Sequence, residues 1–276
     1  METLQQIQQQ LPLFVIDIIR LCIWLFILAL IFIPLERLCA LHRQKICRKG
    51  IFLDLSYYFL NSLLPAQLLI LPMASLAWYL QFIVPSELQQ WAGHLPLLAR
   101  LMLAMVVGEI GAYWGHRWMH QFPLLWRFHA IHHNAEEIDW LVNTHAHPFD
   151  LVFTRLCGFV PMYLFGLAQP MANAMDTVSL LVILIGTIWG FFIHANIRWR
   201  FGLLELFIAT PAFHHWHHAN DGPDVTNKNF AAMLPWVDKI FGTYYLPSIA
   251  WPTKYGIDKP ISSSLTRQLV YPFMLK

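Results

Sequence analysis

The chain has 276 residues, of which 57% are hydrophobic and 12% charged, with a formal net charge of +2 and a mean hydropathy of +0.49. Soluble domains carry about 25% charged residues, so this composition excludes an ordinary soluble domain and predicts a membrane protein. No basic cluster interleaved with aromatics lies outside residues 37–49, so the charge distribution carries no nucleic-acid footprint.

The amino-terminal METLQQIQQQ lacks the basic region and small-residue cleavage site of a secretory signal, so the first apolar run reads as a retained helix. Five apolar runs follow, at about 12–34, 55–84, 96–115, 151–169 and 177–196. Each is long enough for the roughly 20 helical residues that cross a ~30 Å hydrocarbon core. Asp17 and Arg20 interrupt the first run but stand i,i+3 and can pair, with an interfacial helix as the alternative there. Pro65 and Pro72 predict a kink or a break in the second. Cys22, Cys39, Cys47 and Cys157 lie in or beside apolar segments without CxxC spacing and read as reduced packing residues.

Basic residues alternate with the spans. Arg37, Arg43, Lys45, Arg48 and Lys49 follow the first, Arg117 and Arg127 the third, Arg198 and Arg200 the fifth, while 1–11, 86–95 and 170–176 carry none. The positive-inside rule then puts the amino terminus outside and the histidine-rich loops in the cytoplasm. The tail after Leu246, with Pro247, Pro252, Pro260 and three serines at 262–264, reads as loop and surface helix.

Histidines fall in boxes: HRWMH at 116–120, HAIHH at 129–133, HAHP at 145–148 and HHWHH at 214–218. On helices, His116 and His120 share a face, as do His129 with His132 and His133, and His214 with His217 and His218. Neutral imidazole suits iron, zinc, copper and nickel, and eight rings exceed what one four- to six-coordinate ion accepts. Burying that many polar rings without partners would cost about 1–3 kcal/mol each. A two-metal centre is the natural reading. His215 points roughly 100° from its neighbours on a helix and reads as a hydrogen-bonding or surface ring; His42 and His94 lie in loops and receive no chemistry.

The HxxxH box, the two HxxHH boxes, the HP at 147–148, the HANIRW run from His194 and the closing WVDKIFGTYY at 236–245 together resemble the fatty acid hydroxylase superfamily, also called the sterol desaturase family, of membrane di-iron oxygenases. The resemblance runs from about Glu109 to Tyr245. It implies an all-α integral membrane protein of about four to five transmembrane helices with a cytoplasmic histidine-rich cap. It divides the chain into amino-terminal membrane helices with a basic loop at 1–95, a catalytic region at 96–245 and a tail at 246–276. The implied metal ligands are His116, His120, His129, His132, His133, His214, His217 and His218, with His147 and His194 added from the family pattern. Many bacterial relatives carry Arg where this chain has His145, and Arg cannot ligate iron, so a hydrogen-bonding role, to Asp150 or to a substrate head group, is expected there.

The resemblance further implies two non-haem iron ions, dioxygen and a lipid substrate, with hydroxylation favoured over desaturation. The chain shows no GxGxxG after a strand and no fused haem domain, so an external donor, a ferredoxin or a cytochrome with its reductase, is expected to supply electrons. Ligating imidazoles need outer acceptors, for which Glu136, Glu137, Asp139, Asp150, Asp221, Asp224 and Asp238 are near in sequence, and Glu109 sits inside an apolar span. Trp114, Trp118, Trp126, Trp140 and Trp216 are expected as site walls or interface residues. The alternatives are a membrane metal transporter or storage protein and a zinc-dependent membrane hydrolase.

Overall fold

The computed structural model describes residues 12–168 and 176–274; residues 1–11 and 169–175, including most of the loop at 170–176, lie outside the described residues. The fold is all-helical: among the described residues no β-strand forms, and only the isolated bridges Ala40–Ile197 and Ala219–Tyr255 occur. The long helices are α1 (Leu13–Leu38), α2 (Ile51–Ile83), α4 (Leu97–Gln121), α6 (Pro148–Leu164) and α7 (Thr177–His194). Shorter ones are α3 (Ser86–His94), α5 (Pro123–His129), α8 (Pro211–His217), α9 (Trp236–Ile240) and α10 (Leu265–Val270).

Among the described residues, four helices are long and apolar enough to cross a membrane: α1, α2 over Ile51–Leu80, α4 and α7. The expected run at 151–169 becomes α6, whose 17 residues extend about 25 Å at 1.5 Å per residue. It is not among those four, yet it runs antiparallel along α4. Gly115 faces Phe153 and Cys157, Gly111 faces Cys157 and Pro161, and Gly108 faces Gly158 and Met162. A Cβ at Gly111 would run into the Cys157 carbonyl, so glycine is required for this approach. Pro65 and Pro72 lie within one continuous α2 rather than breaking it. Asp17 and Arg20 pair at 3.5 Å on the exposed side of α1.

Two apolar clusters fix the ends of the bundle. At one end Leu80, Ala92, Leu101, Phe159, Met162 and Val178 join α2, α3, α4, α6 and α7. Toward the other, Phe32 of α1 stacks on Trp140, and Phe191 of α7 packs beside them. Buried polar ties lock the loops to this end. Arg48 spans Asp54 (2.6 Å) and Asp139 (2.6 Å), so this arginine, counted above among the orientation signals, is an internal bridge. Glu36 accepts from the Trp140 and Asn196 amides.

The tail is loop and a short helix as expected, but one side of it is buried. Gln268 is wholly buried, Ile261 packs with Tyr57, Ala130 and Ile131, and Asn134 exchanges two hydrogen bonds with Ile261. The tail therefore closes over the segment carrying the first HxxHH box.

Candidate metal centre

The HxxxH box forms as expected on the last turns of α4, where i,i+4 spacing aligns His116 and His120. The first HxxHH box does not lie on one helix. Pro123 starts α5, which ends at His129, and His132 opens a separate 3-10 turn, His132–Asn134. The second box rides on α8, started by Thr210, whose hydroxyl caps Phe213 N, and by Pro211 at the first helical position. α7 ends at His194.

These elements bring nine of the ten expected histidines into two groups. His116, His120, His129, His133 and His217 form the first; His132, His194, His214 and His218 form the second. Within each group the candidate ligand atoms all lie within 4.8 Å of one another. Each HxxHH box contributes to both groups, because the turn between His129 and His132 and the one-residue step between His217 and His218 splay the rings.

His147 stands apart, against expectation. It caps α6: its Nδ1 accepts from the Phe149 amide at 3.1 Å, and its Nε2–H then donates to the Leu269 carbonyl at 3.2 Å. Both ring nitrogens are thereby occupied. His42 and His94 also lie outside both groups.

Outer acceptors fix the tautomers. His116 Nδ1 donates to the Phe230 carbonyl (2.7 Å), His217 Nδ1 to the Lys228 carbonyl (2.9 Å) and His120 Nδ1 to Asn227 Oδ1 (3.1 Å). One short segment thus serves three rings, and Asn227 (φ 57°) and Asn229 (φ 59°) turn it through the left-handed region that asparagine tolerates. Asp238 holds this segment through the Phe230 and Ala231 amides (2.8 Å each), and Thr243 Oγ1 donates to it (2.6 Å). His129 Nδ1 donates to Asp150 Oδ2 (2.7 Å), His132 Nδ1 to the His145 carbonyl (3.0 Å) and His194 Nδ1 to the Gly190 carbonyl (2.7 Å).

Those commitments leave lone pairs at the inward nitrogens. His116 Nε2 and His129 Nε2 are 3.0 Å apart, and His132 Nε2 and His194 Nε2 are 3.2 Å apart. In both pairs each ring carries its proton at Nδ1, so no proton bridges them. His120 Nε2 is buried and has no hydrogen-bond partner. Burial also pushes the His129, His132, His133, His214, His217 and His218 pKa values well below the ordinary histidine value, leaving neutral rings. Convergent neutral nitrogens that repel one another are a donor set for cations, one per group.

The other singled-out residues take supporting positions. His145 is no member of either group. Its Nδ1 donates to Asp54 (2.6 Å), not to Asp150, its Nε2 lies 3.0 Å from Gln268 Oε1, and the ring stacks on Tyr57. His215 is fully buried rather than on the surface: Nε2–H donates to the Ala195 carbonyl, the Tyr255 hydroxyl donates to Nδ1, and burial pushes its pKa down to about 3. Glu109 accepts from the Met233 and Leu234 amides. Asp221 accepts from Thr253 and Lys254. Trp126 packs on His120 and His133, walling the first group.

Beside the histidines, a cavity of about 550 Å³ opens between α2, α4, α6 and α7. Its lining includes Gly190, the acceptor for His194, and Thr154, which hydrogen-bonds Asp150, so it reaches the shell around both groups. Sequence reasoning missed Asp54, Gln268 and the 227–230 acceptors, whose partners are remote in sequence.

Fold and site define a multi-pass helical membrane protein with a polyhistidine centre able to hold two metal ions. The family model described as Fatty acid hydroxylase matches residues 101–243, and the chain belongs to that family. It is 32% identical over 187 residues to an ornithine lipid hydroxylase of Rhizobium tropici, covering 67% of this chain and 54% of the relative. It is 29% identical over 175 residues to the alkylglycerol monooxygenase of Danio rerio (62% of this chain, 36% of the relative). It is 28% identical over 151 residues to a Delta(7)-sterol 5(6)-desaturase of Gibberella zeae (53% and 42%). The chain thus spans about half or less of the length of these relatives. No solved structure matches it.

Proposed function

We propose that the chain is a membrane-bound oxidoreductase that hydroxylates, or alternatively desaturates, a C–H bond of a lipid with dioxygen and two external electrons. The observation carrying this reading is the pair of adjoining histidine groups, whose supporting residues Gly190 and Thr154 line a largely apolar cavity among the long helices. His116, His120, His129, His133 and His217 would hold one iron ion, and His132, His194, His214 and His218 the other. Bound iron would supply the reductive activation of dioxygen that zinc, without an accessible redox step, cannot. Nine imidazoles also exceed the three protein ligands a catalytic zinc takes, which weighs against a zinc hydrolase.

The chain's own residues supply orientation and exclusion of water. Asp150, the carbonyls of Lys228, Phe230, His145 and Gly190, and Asn227 hold the rings in the tautomer that turns lone pairs inward. The cavity walls, formed by residues such as Met105, Phe159, Met162, Val182 and Phe191, accept an alkyl chain and keep water from the reacting carbon. Both groups gather at one end of the bundle, unlike a transporter, whose ligands lie along a path to both faces. By the charge asymmetry of the loops, that end faces the cytoplasm, where a ferredoxin or a cytochrome with its reductase delivers electrons. Hydroxylation is preferred because the ornithine lipid hydroxylase and alkylglycerol monooxygenase relatives are so named.

The test is turnover of a membrane lipid extract by purified, iron-loaded protein with ferredoxin, its reductase and ¹⁸O₂. A lipid that gains one ¹⁸O establishes hydroxylation, and one that loses two hydrogens establishes desaturation. No oxidised lipid under reducing turnover would overturn the reading.

A further inference from the structure

One carboxyl and one guanidinium side chain line the cavity, Glu109 and Arg155. Glu109 is committed to the Met233 and Leu234 amides. Arg155 is half-buried, and among the described residues no hydrogen bond or ion pair involves it. It is the eighth of the 17 residues of α6, about 10 Å from its start and about 13 Å from its end at 1.5 Å per residue. Leu151, Thr154, Arg155, Gly158, Phe159 and Met162 form the cavity-facing stripe, following the i, i+3, i+4 pattern of one helical face.

A guanidinium among apolar walls is costly without an acceptor. It offers five N–H donors in a planar fork and no acceptor, a geometry that matches the paired oxygens of a carboxylate or a phosphate. Asn61, also in the lining, donates through Nδ2 to the Thr144 and Ala146 carbonyls, at 2.9 and 2.8 Å. Arg155 is thus a donor fork facing otherwise largely apolar walls with no protein acceptor among the described residues.

We propose that Arg155 binds the oxyanion of an anionic lipid substrate, a carboxylate or a phosphate. This rests on the reading of the cavity as the lipid site of an oxygenase. It selects charged over neutral lipids, and it places the head group on α6, the helix whose Asp150 orients His129.

The test measures equilibrium binding of dioleoyl phosphatidate, N-oleoylglycine and neutral dioleoylglycerol to the full chain in uncharged detergent. Wild type should bind at least one of the two anionic lipids about tenfold or more tightly than dioleoylglycerol, as expected for about 1.4 kcal/mol or more. The preferred anion identifies the phosphate or the carboxylate as the source. Arg155→Gln should abolish the preference and leave dioleoylglycerol affinity unchanged, and Arg155→Lys should keep part of it. A wild-type protein that prefers neither anion overturns the proposal without recourse to any variant, as does an undiminished preference in Arg155→Gln. Binding is read without turnover. Charge-selective binding with no lipid oxidation would overturn only the oxygenase reading, whereas oxidation without charge preference would overturn only the assignment of Arg155.

Discussion

Replacing Asp238 with Ala tests whether a residue that touches no histidine holds the first group together. Its two oxygens accept from the Phe230 and Ala231 amides and from Thr243 Oγ1, and Asp238 is wholly buried. Thr243 retains the Tyr113 hydroxyl as a partner, so the loss falls on two backbone amides. At about 1–3 kcal/mol for each buried donor left unpaired, the substitution costs roughly 2–6 kcal/mol of stability. It also frees the Phe230 carbonyl, the acceptor that orients His116. Loss of such an outer partner lowers metal affinity about 10- to 100-fold, or roughly 1.4–2.8 kcal/mol. Asp238→Asn keeps one acceptor oxygen but turns an NH₂ toward the second amide, so an intermediate effect is expected. The assays are thermal unfolding in detergent and iron titration of the apo protein, with Asp258→Ala, on an exposed side chain paired with Lys254 at 3.8 Å, as the control. An Asp238→Ala protein that melts and binds iron like wild type would show that Asp238 does not hold the segment that orients His116.

Other substitutions separate the site from its supports. Asp150→Asn retains an acceptor for His129 Nδ1 and should weaken iron binding less than Asp150→Ala, for which about a 10- to 100-fold loss is expected in an iron titration. His145→Arg should keep full metal content by elemental analysis because neither ring nitrogen faces the histidine groups, and His147→Ala should do the same; depletion in either would make that residue a ligand. Gly186 lines the cavity with open space where a Cβ would stand. Gly186→Leu should therefore leave iron content unchanged while lipid turnover falls about tenfold or more through displaced substrate, and unchanged turnover would remove the cavity from the mechanism.

The histidine boxes were legible because their spacing repeats, and repetition of an i, i+3, i+4 pattern is hard to obtain from packing alone. How the rings divide was not legible. A uniform helix through HAIHH would have kept His129, His132 and His133 together, whereas the end of α5 at His129 sends His132 to the other group. The HP dipeptide carried a second meaning: proline at the first turn of a helix makes the preceding residue its cap, which is what His147 does. Asp150 and Asp238 stood among the sequence candidates because they lie near the boxes. Asp54 and Gln268 did not, since they reach His145 across 91 and 123 residues. The tail looked like surface because its prolines and serines suit loops, but Gln268 and Ile261 anchor it beneath the first HxxHH segment.

If each histidine group holds one iron, elemental analysis of anaerobically purified protein, expressed with both iron and zinc available, should return about two irons and no stoichiometric zinc per chain, with a drop toward one when His217 or His214, one from each group, is replaced by Ala. A single zinc per chain, or iron content indifferent to both substitutions, would contradict that occupancy.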